Sequence, residues 1–124
     1  MITALADFPP DVLAFECKGH VSHQDYEQIL IPAVKNALQE HEKVRLFYKI
    51  GEDFTGIDPL AVWEDFYVGV SHLRRWERMA VVTDVAWIAQ AIRAFGFLLP
   101  GELKIFALKD EAAARDWILG DEPA

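Results

Sequence analysis

Residues 44–59, VRLFYKIGEDFTGIDP, decide the fold of this chain. The first seven, Val44–Ile50, are rich in β-branched, aromatic and aliphatic residues and predict a strand. A short loop follows, and Asp58-Pro59 then predicts the start of a helix. An aspartate there caps free N–H groups, and proline suits the first helical position because no N–H is needed. A strand followed by a helix is the basic unit of an α/β domain, and ligands or regulatory residues are often placed at that junction.

Further predicted elements alternate around this unit. Two N-terminal strands joined by a short turn predict a hairpin whose first strand is antiparallel at a sheet edge. The later alternation of helices and strands predicts right-handed crossovers and a largely parallel sheet of five strands covered by four helices. The predicted strands cover residues 2–5, 12–18, 44–50, 78–83 and 103–108, and the predicted helices cover residues 22–42, 59–75, 85–95 and 111–119.

Aspartates occur at or near the predicted helix starts, where a carboxylate meets free N–H groups and the positive end of the helix dipole. Ser22 and Asp25 form a capping box, and Asp58, Asp84 and Asp110 are predicted caps. Pro32 lies inside the first helical pattern and is expected to bend or tighten the helix near Gln28.

Composition limits the classes of function. With 124 residues and 52% hydrophobic residues, a single domain over 1–124 can bury roughly two-thirds of its unfolded surface. The net charge of −8 argues against nucleic-acid binding and against attraction to an anionic membrane surface. Cys17 is the only cysteine, and no signal peptide or membrane-spanning run is evident. The sequence therefore predicts a cytoplasmic protein.

The chain resembles the SpoIIAA-like fold of the STAS domains, which are best known as anti-sigma factor antagonists. The resemblance rests on the order and hydrophobic pattern of the segments 46–60, 78–82, 103–106 and 110–114. It implies a protein-interaction module and, by shape, kinship with CRAL-TRIO lipid-exchange domains. In the antagonists an Asp-Ser pair opens the helix after the third strand, and the serine is phosphorylated. Asp58 matches that aspartate, but Pro59 replaces the serine and Thr55 precedes the helix, so the resemblance does not extend to a phosphorylation switch.

Three groups of polar residues are candidates for a metal, binding or catalytic site. Cys17, His20 and His23 offer at most three metal ligands, one fewer than a closed zinc site needs, so no metal or cofactor is predicted. Arg74, Arg75 and Arg78 form a basic cluster that is expected to stabilise a helix end, with a lipid headgroup or acidic partner as the alternative. An enzyme would have to use His20, Asp53 and Asp84 at the carboxyl edge of the sheet.

Aromatic residues of the second and third predicted helices exceed what one buried stripe requires. This excess predicts a surface for a protein partner, a small apolar ligand such as a lipid, or a homo-oligomer. The expected function is thus a non-enzymatic interaction or ligand-binding module, and the enzyme with His20, Asp53 and Asp84 is the alternative. The surface comprises Trp63, Phe66, Tyr67, Trp87, Phe95 and Phe97.

Overall fold

The order and direction of the strands confirm the predicted α/β fold with a largely parallel sheet. The computed structural model describes residues 1–58, 75–96 and 102–120. The strands are β1 (Ile2–Ala4), β2 (Val12–Cys17), β3 (His20–Val21), β4 (Val44–Ile50), β5 (Gly56–Ile57), β6 (Trp76–Val82) and β7 (Glu102–Phe106). The main sheet has the order β1-β2-β4-β6-β7; β1 is antiparallel to β2, and the other neighbours are parallel. The antiparallel N-terminal edge strand and the bounds of β4 are as predicted.

Two strand ends differ from the prediction by two residues, and the other differences are of one residue. The strand β6 begins at Trp76 rather than Arg78, because Trp76 pairs with Val44 and the following Glu77 accepts a hydrogen bond from Arg45 Nε at 2.6 Å. The strand β7 ends at Phe106 rather than Leu108, since residues Leu108–Asp110 form a 3₁₀ turn. Both differences come from contacts between strands or turns that a single segment does not specify.

The helices on either side of the sheet are α1 (His23–Asp25), α2 (Ile31–Glu40), α3 (Ala86–Gly96) and α4 (Glu111–Leu119). The α4 bounds match the prediction, and the first predicted helix ends at Glu40 instead of residue 42. The second predicted helix, residues 59–75, lies outside the described residues apart from Arg75.

A π-helical segment, Tyr26–Leu30, joins α1 to α2. Its closing bond runs from the Ile31 N–H to the Tyr26 carbonyl, five residues back. Pro32 follows at once and has no N–H to donate to Gln28. The helix is therefore widened at this point, and the expected tightening near Gln28 was wrong.

Both faces of the sheet are packed. Because side chains alternate along a strand, Leu46, Tyr48 and Ile50 of β4 lie in one core with α2 and with Ile88 of α3. Phe47 lies on the opposite face, in a core that includes Ile118 of α4. Phe47 is 0% exposed, so its predicted burial is confirmed.

Candidate functional site

The loops that follow β2 and β4 meet at the carboxyl edge of the sheet. The strands β3 and β5 form a two-stranded parallel sheet in which His20 pairs with Gly56 and Val21 with Ile57. Backbone bonds extend this contact: the Thr55 N–H donates to the Gly19 carbonyl at 2.8 Å, and the Asp58 N–H donates to the Val21 carbonyl at 2.9 Å. The sequence did not predict this small sheet, because two-residue strands carry no periodic signal. The loop that carries Thr55 and Asp58 is thus tied to the chain after β2.

Asp58 is the junction of these two loops. Its Oδ1 lies 2.6 Å from His20 Nε2, and its Oδ2 accepts a hydrogen bond at 3.1 Å from the backbone N–H of His23. His23 is the first residue of α1, so Asp58 supplies a cap to a helix 35 residues earlier in the chain. The bond from His20, followed by that from His23, lowers the pKa of the Asp58 carboxyl from its ordinary value. The sequence predicts that Asp58 caps a helix over residues 59–75, and that prediction lies outside the described residues apart from Arg75.

The start of α1 is capped a second time by its own sequence. Ser22 Oγ accepts a hydrogen bond from the Asp25 N–H at 3.1 Å, and Asp25 Oδ2 accepts one from the Ser22 N–H at 2.8 Å. This reciprocal pair is the predicted capping box. Partial burial acts to raise the pKa of Asp25, but the hydrogen bonds from the Ser22 backbone and hydroxyl, together with the N-terminal ammonium 3.4 Å from Asp25 Oδ2, lower the pKa.

The two histidines do not converge with Cys17 on a metal site. His23 Nε2 lies 2.9 Å from Glu27 Oε1, while His20 is paired with Asp58 and Cys17 is 1% exposed. Within residues 1–58, 75–96 and 102–120, no group of three or more His, Cys, Asp or Glu residues is arranged to hold a metal ion.

The three residues of the enzymatic alternative have separate partners. His20 contacts Asp58, and exposed Asp53 accepts a bond from the Gly19 N–H through its backbone carbonyl at 3.1 Å. Asp84 Oδ1 accepts a hydrogen bond from the Leu108 N–H at 3.0 Å, and Asp84 lies two residues before the first residue of α3. Asp84 therefore links the ends of β6 and β7. Asp110 is the N-cap residue of α4, but its side chain makes no capping hydrogen bond, so that part of its prediction was wrong.

A charged group that sequence reasoning missed lies on the α4 face of the same edge. Lys49 Nζ lies 2.7 Å from Glu111 Oε1 and 4.0 Å from Glu16 Oε2, and Arg115 Nε lies 3.6 Å from Glu111 Oε2. The hydrogen bond to Glu111 raises the pKa of Lys49 above its ordinary value. The alternation of polar with apolar residues in β2 and β4 is the signal that these charges share a face, but their meeting with α4 depends on the crossover.

The two described arginines of the predicted basic cluster are structural. Arg75 donates to the His41 carbonyl at 2.6 Å and the Glu42 carbonyl at 2.9 Å, just after the end of α2. Arg78 donates from Nη1 to the Trp117 carbonyl of α4 at 2.7 Å and is 2% exposed. Arg75 therefore stabilises the C-terminus of α2, and Arg78 stabilises that of α4. Neither arginine belongs to the helix whose end it stabilises. Arg78 is buried and is not available to a lipid headgroup; Arg74 lies outside the described residues.

Only one side chain of the predicted aromatic surface is described. Trp87, in the first turn of α3, is 54% exposed, whereas its neighbour Ile88 is buried. The others lie outside the described side chains: Trp63, Phe66, Tyr67, Phe95 and Phe97. Within the described residues, no helix is long and apolar enough to cross a membrane.

Comparison with known proteins agrees with this architecture. The model of the SpoIIAA-like family matches residues 12–119. A solved structure from Shewanella loihica PV-4, an uncharacterised protein of the DUF3478 family with a SpoIIAA-like fold, is 28% identical in sequence. The structural alignment covers 94% of this chain and 93% of the Shewanella chain, with a TM-score of 0.68. No curated protein matches the chain. Since the family match spans most of the sequence, the chain belongs to the SpoIIAA-like family.

Proposed function

We propose that this protein is a non-enzymatic interaction module that binds a protein partner through the face of α3 that carries Trp87. The SpoIIAA-like fold suggests an interaction module. The observation that carries the proposal is the 54% exposure of Trp87, the largest side chain type, on a helix whose neighbouring Ile88 is only 8% exposed.

The rest of α3 supports a contact surface. Ala91 and Ala94 follow Trp87 at spacings of four and three residues, so they lie on nearly the same side of the helix, and both are exposed. Burying a large apolar side chain contributes on the order of 1.5–3 kcal/mol, and tryptophan is enriched among the residues that dominate binding energy. Small alanines beside it let a partner approach the backbone closely. This face is therefore suited to a partner with an apolar recess for Trp87.

The proposed surface extends beyond α3. The remaining members of the sequence-predicted set, Trp63, Phe66, Tyr67, Phe95 and Phe97, are proposed to enlarge the contact around Trp87. The binding site for a small apolar ligand remains the second form of this proposal. In either form Pro59 provides no hydroxyl, so binding is proposed to proceed without phosphorylation at the position that follows Asp58.

The arrangement at the carboxyl edge favours a structural over a catalytic use of its polar groups. Asp58 holds the start of α1, and Asp84 holds the turn after β7. His20, Asp53 and Asp84 each contact a different group, which gives no acid–base pair among the three.

The test compares Trp87→Ala with Leu119→Ala, a matched loss of an exposed apolar side chain that is 41% exposed on α4. The wild-type protein is used to capture a partner, which is then purified. Calorimetry measures the Kd of that partner for the wild type and for each variant. Trp87→Ala is expected to weaken binding by about 30-fold, the effect of a dominant interface residue, while Leu119→Ala leaves the Kd unchanged. Equal Kd values for all three proteins would refute the proposal. A small apolar molecule released from the wild-type protein in native mass spectrometry, and lost from Trp87→Ala, would establish the ligand-binding form instead.

A further inference from the structure

Two residues of β7 direct their backbone groups away from β6. The Thr83 N–H donates to the Phe106 carbonyl at 2.8 Å, so the N–H and C=O groups of Phe106 point towards β6. These groups alternate in direction along a strand, and the groups of Lys104 therefore also point towards β6. Leu103 and Ile105 direct theirs to the outer edge. Among residues 1–58, 75–96 and 102–120, no strand pairs with this edge.

The side chains of β7 are unusually accessible for an apolar strand. Leu103, Ile105 and Phe106 are all partly exposed, whereas the inner strand β4 buries five of its seven residues. An accessible edge with apolar side chains is a template for pairing with another strand.

We propose that the outer edge of β7 pairs antiparallel with the same edge of a second copy of the chain, about a twofold axis at Leu103. In this register, Leu103 exchanges two N–H···O=C bonds with Leu103 of the second copy. Glu102 then lies opposite Lys104 of the second copy, and the symmetry repeats this pair. Opposite charges at facing positions stabilise paired strands, whereas a register centred on Lys104 would place two lysines face to face. The charge pattern of β7 thus selects its own copy and one register.

The surroundings of the two charged groups suit this pairing. Glu102 and Lys104 lie on the face of the sheet covered by α4, where Lys104 Nζ is 5.1 Å from the centre of the Trp117 ring. Glu102 Oε2 is 3.7 Å from Arg78 Nε, and the Glu102 side chain remains 36% exposed. On the opposite face, Leu103 and Ile105 of both copies form one apolar strip. The contact joins two five-stranded sheets into one of ten strands, and it does not involve Trp87.

Charge reversal tests the proposed register. Sedimentation equilibrium is run on the wild type, Lys104→Glu, the double variant Glu102→Lys/Lys104→Glu, and Lys109→Glu, which makes the same change in net charge at an exposed site outside β7. The wild type is expected to dimerise and Lys104→Glu to weaken dimerisation about tenfold, because both attractive pairs become repulsive. The double variant should recover wild-type affinity, and Lys109→Glu should match the wild type. A wild type that stays monomeric, or a double variant no tighter than Lys104→Glu, overturns the proposal.

Proline substitution tests the backbone pairing. Leu103→Pro removes an N–H that points away from β6, so the variant should keep its folded circular-dichroism spectrum and become monomeric. Lys104→Pro removes an N–H that points towards β6, so it should lower the thermal unfolding midpoint instead. A dimer that persists in folded Leu103→Pro contradicts edge pairing and indicates another interface.

Discussion

At the residue scale, Asp58 has a role that its sequence position only partly indicates. An aspartate before a proline predicts the cap of the helix that follows. Its carboxylate instead binds the His20 ring and the N–H of His23, both from the chain after β2. The carboxylate of Asp58 therefore joins the loop after β5 to the chain after β2. Its two bonds are the reason that its charged form is favoured.

The lowered pKa of Asp58 makes a pH-dependent prediction. An ordinary aspartate has a pKa of about 3.9. The hydrogen bonds from His20 and His23 lower the pKa of Asp58 in the folded protein. Because the folded pKa lies below the unfolded one, the stabilisation from Asp58 is present above the unfolded pKa. It is lost as the pH falls through the folded pKa. Carbon-detected NMR of the side-chain carboxyl should therefore give a midpoint below that of an unfolded peptide of the same sequence.

The control for this titration is His20→Ala. Removing the ring takes away the largest cause of the shift, so the Asp58 midpoint should move up towards the peptide value. The His23 backbone bond stays in place and should keep part of the shift. A midpoint that does not respond to His20→Ala would show that the His20–Asp58 contact is absent in solution.

At the scale of elements, the ends of helices are held by residues of other elements. Asp58, which follows β5, accepts a hydrogen bond from the first N–H of α1. Arg75 donates to a carbonyl just after α2, and Arg78 of β6 donates to a carbonyl in the last turn of α4. The Arg45 guanidinium of β4 also donates to the Ile118 carbonyl at 2.9 Å. Cations near a helix C-terminus meet the negative end of its dipole and the carbonyls that lack partners within the helix. These contacts fix each helix on the sheet as well as stabilising it.

Replacing Arg78 tests this arrangement. Arg78→Met keeps much of the side-chain length but leaves the Trp117 carbonyl without its charged donor. The loss of a hydrogen bond from a charged group should lower the free energy of unfolding by about 1.5–3 kcal/mol. Urea denaturation measures this change, and amide hydrogen exchange should accelerate in the last turn of α4.

The matched control is Arg93→Met, at an exposed position of α3. Its charge lies near the end of its own helix, where a cation contributes at most about 1 kcal/mol. If Arg78→Met were no more destabilising than Arg93→Met, the buried contact with α4 would have no special role in stability.

At the scale of the whole molecule, the sheet separates two cores. Trp76 is 3% exposed in the core with α2, while Trp117 packs against the core with α4. Phe47 belongs to the second core, where its ring centre is 5.1 Å from that of Phe8 and 5.8 Å from the Arg115 guanidinium carbon. The two cores share the strands of one sheet, so they are expected to unfold together as one domain.

The change Phe47→Ala tests this coupling. Truncating a fully buried phenylalanine should cost about 3–5 kcal/mol, because apolar burial is lost and a cavity remains. The same loss should appear in two single-tryptophan variants, one retaining Trp76 and the other Trp117. If Phe47→Ala shifts the urea midpoint reported by Trp117 fluorescence but not the one reported by Trp76, the two cores unfold separately.

The sequence by itself determined the parts of this protein that depend on local patterns. The strand β4, the capping box at Ser22 and the bounds of α4 follow from side-chain alternation, capping and helical spacing. The family resemblance and the parallel sheet follow from the order of those elements. Tertiary structure alone decided the pairing of β3 with β5, the contact of Asp58 with His20 and the capping of α4 by Arg78. The two side-chain contacts join residues 38 and 39 positions apart, and only the packing of crossovers against the sheet brings such residues to hydrogen-bonding distance.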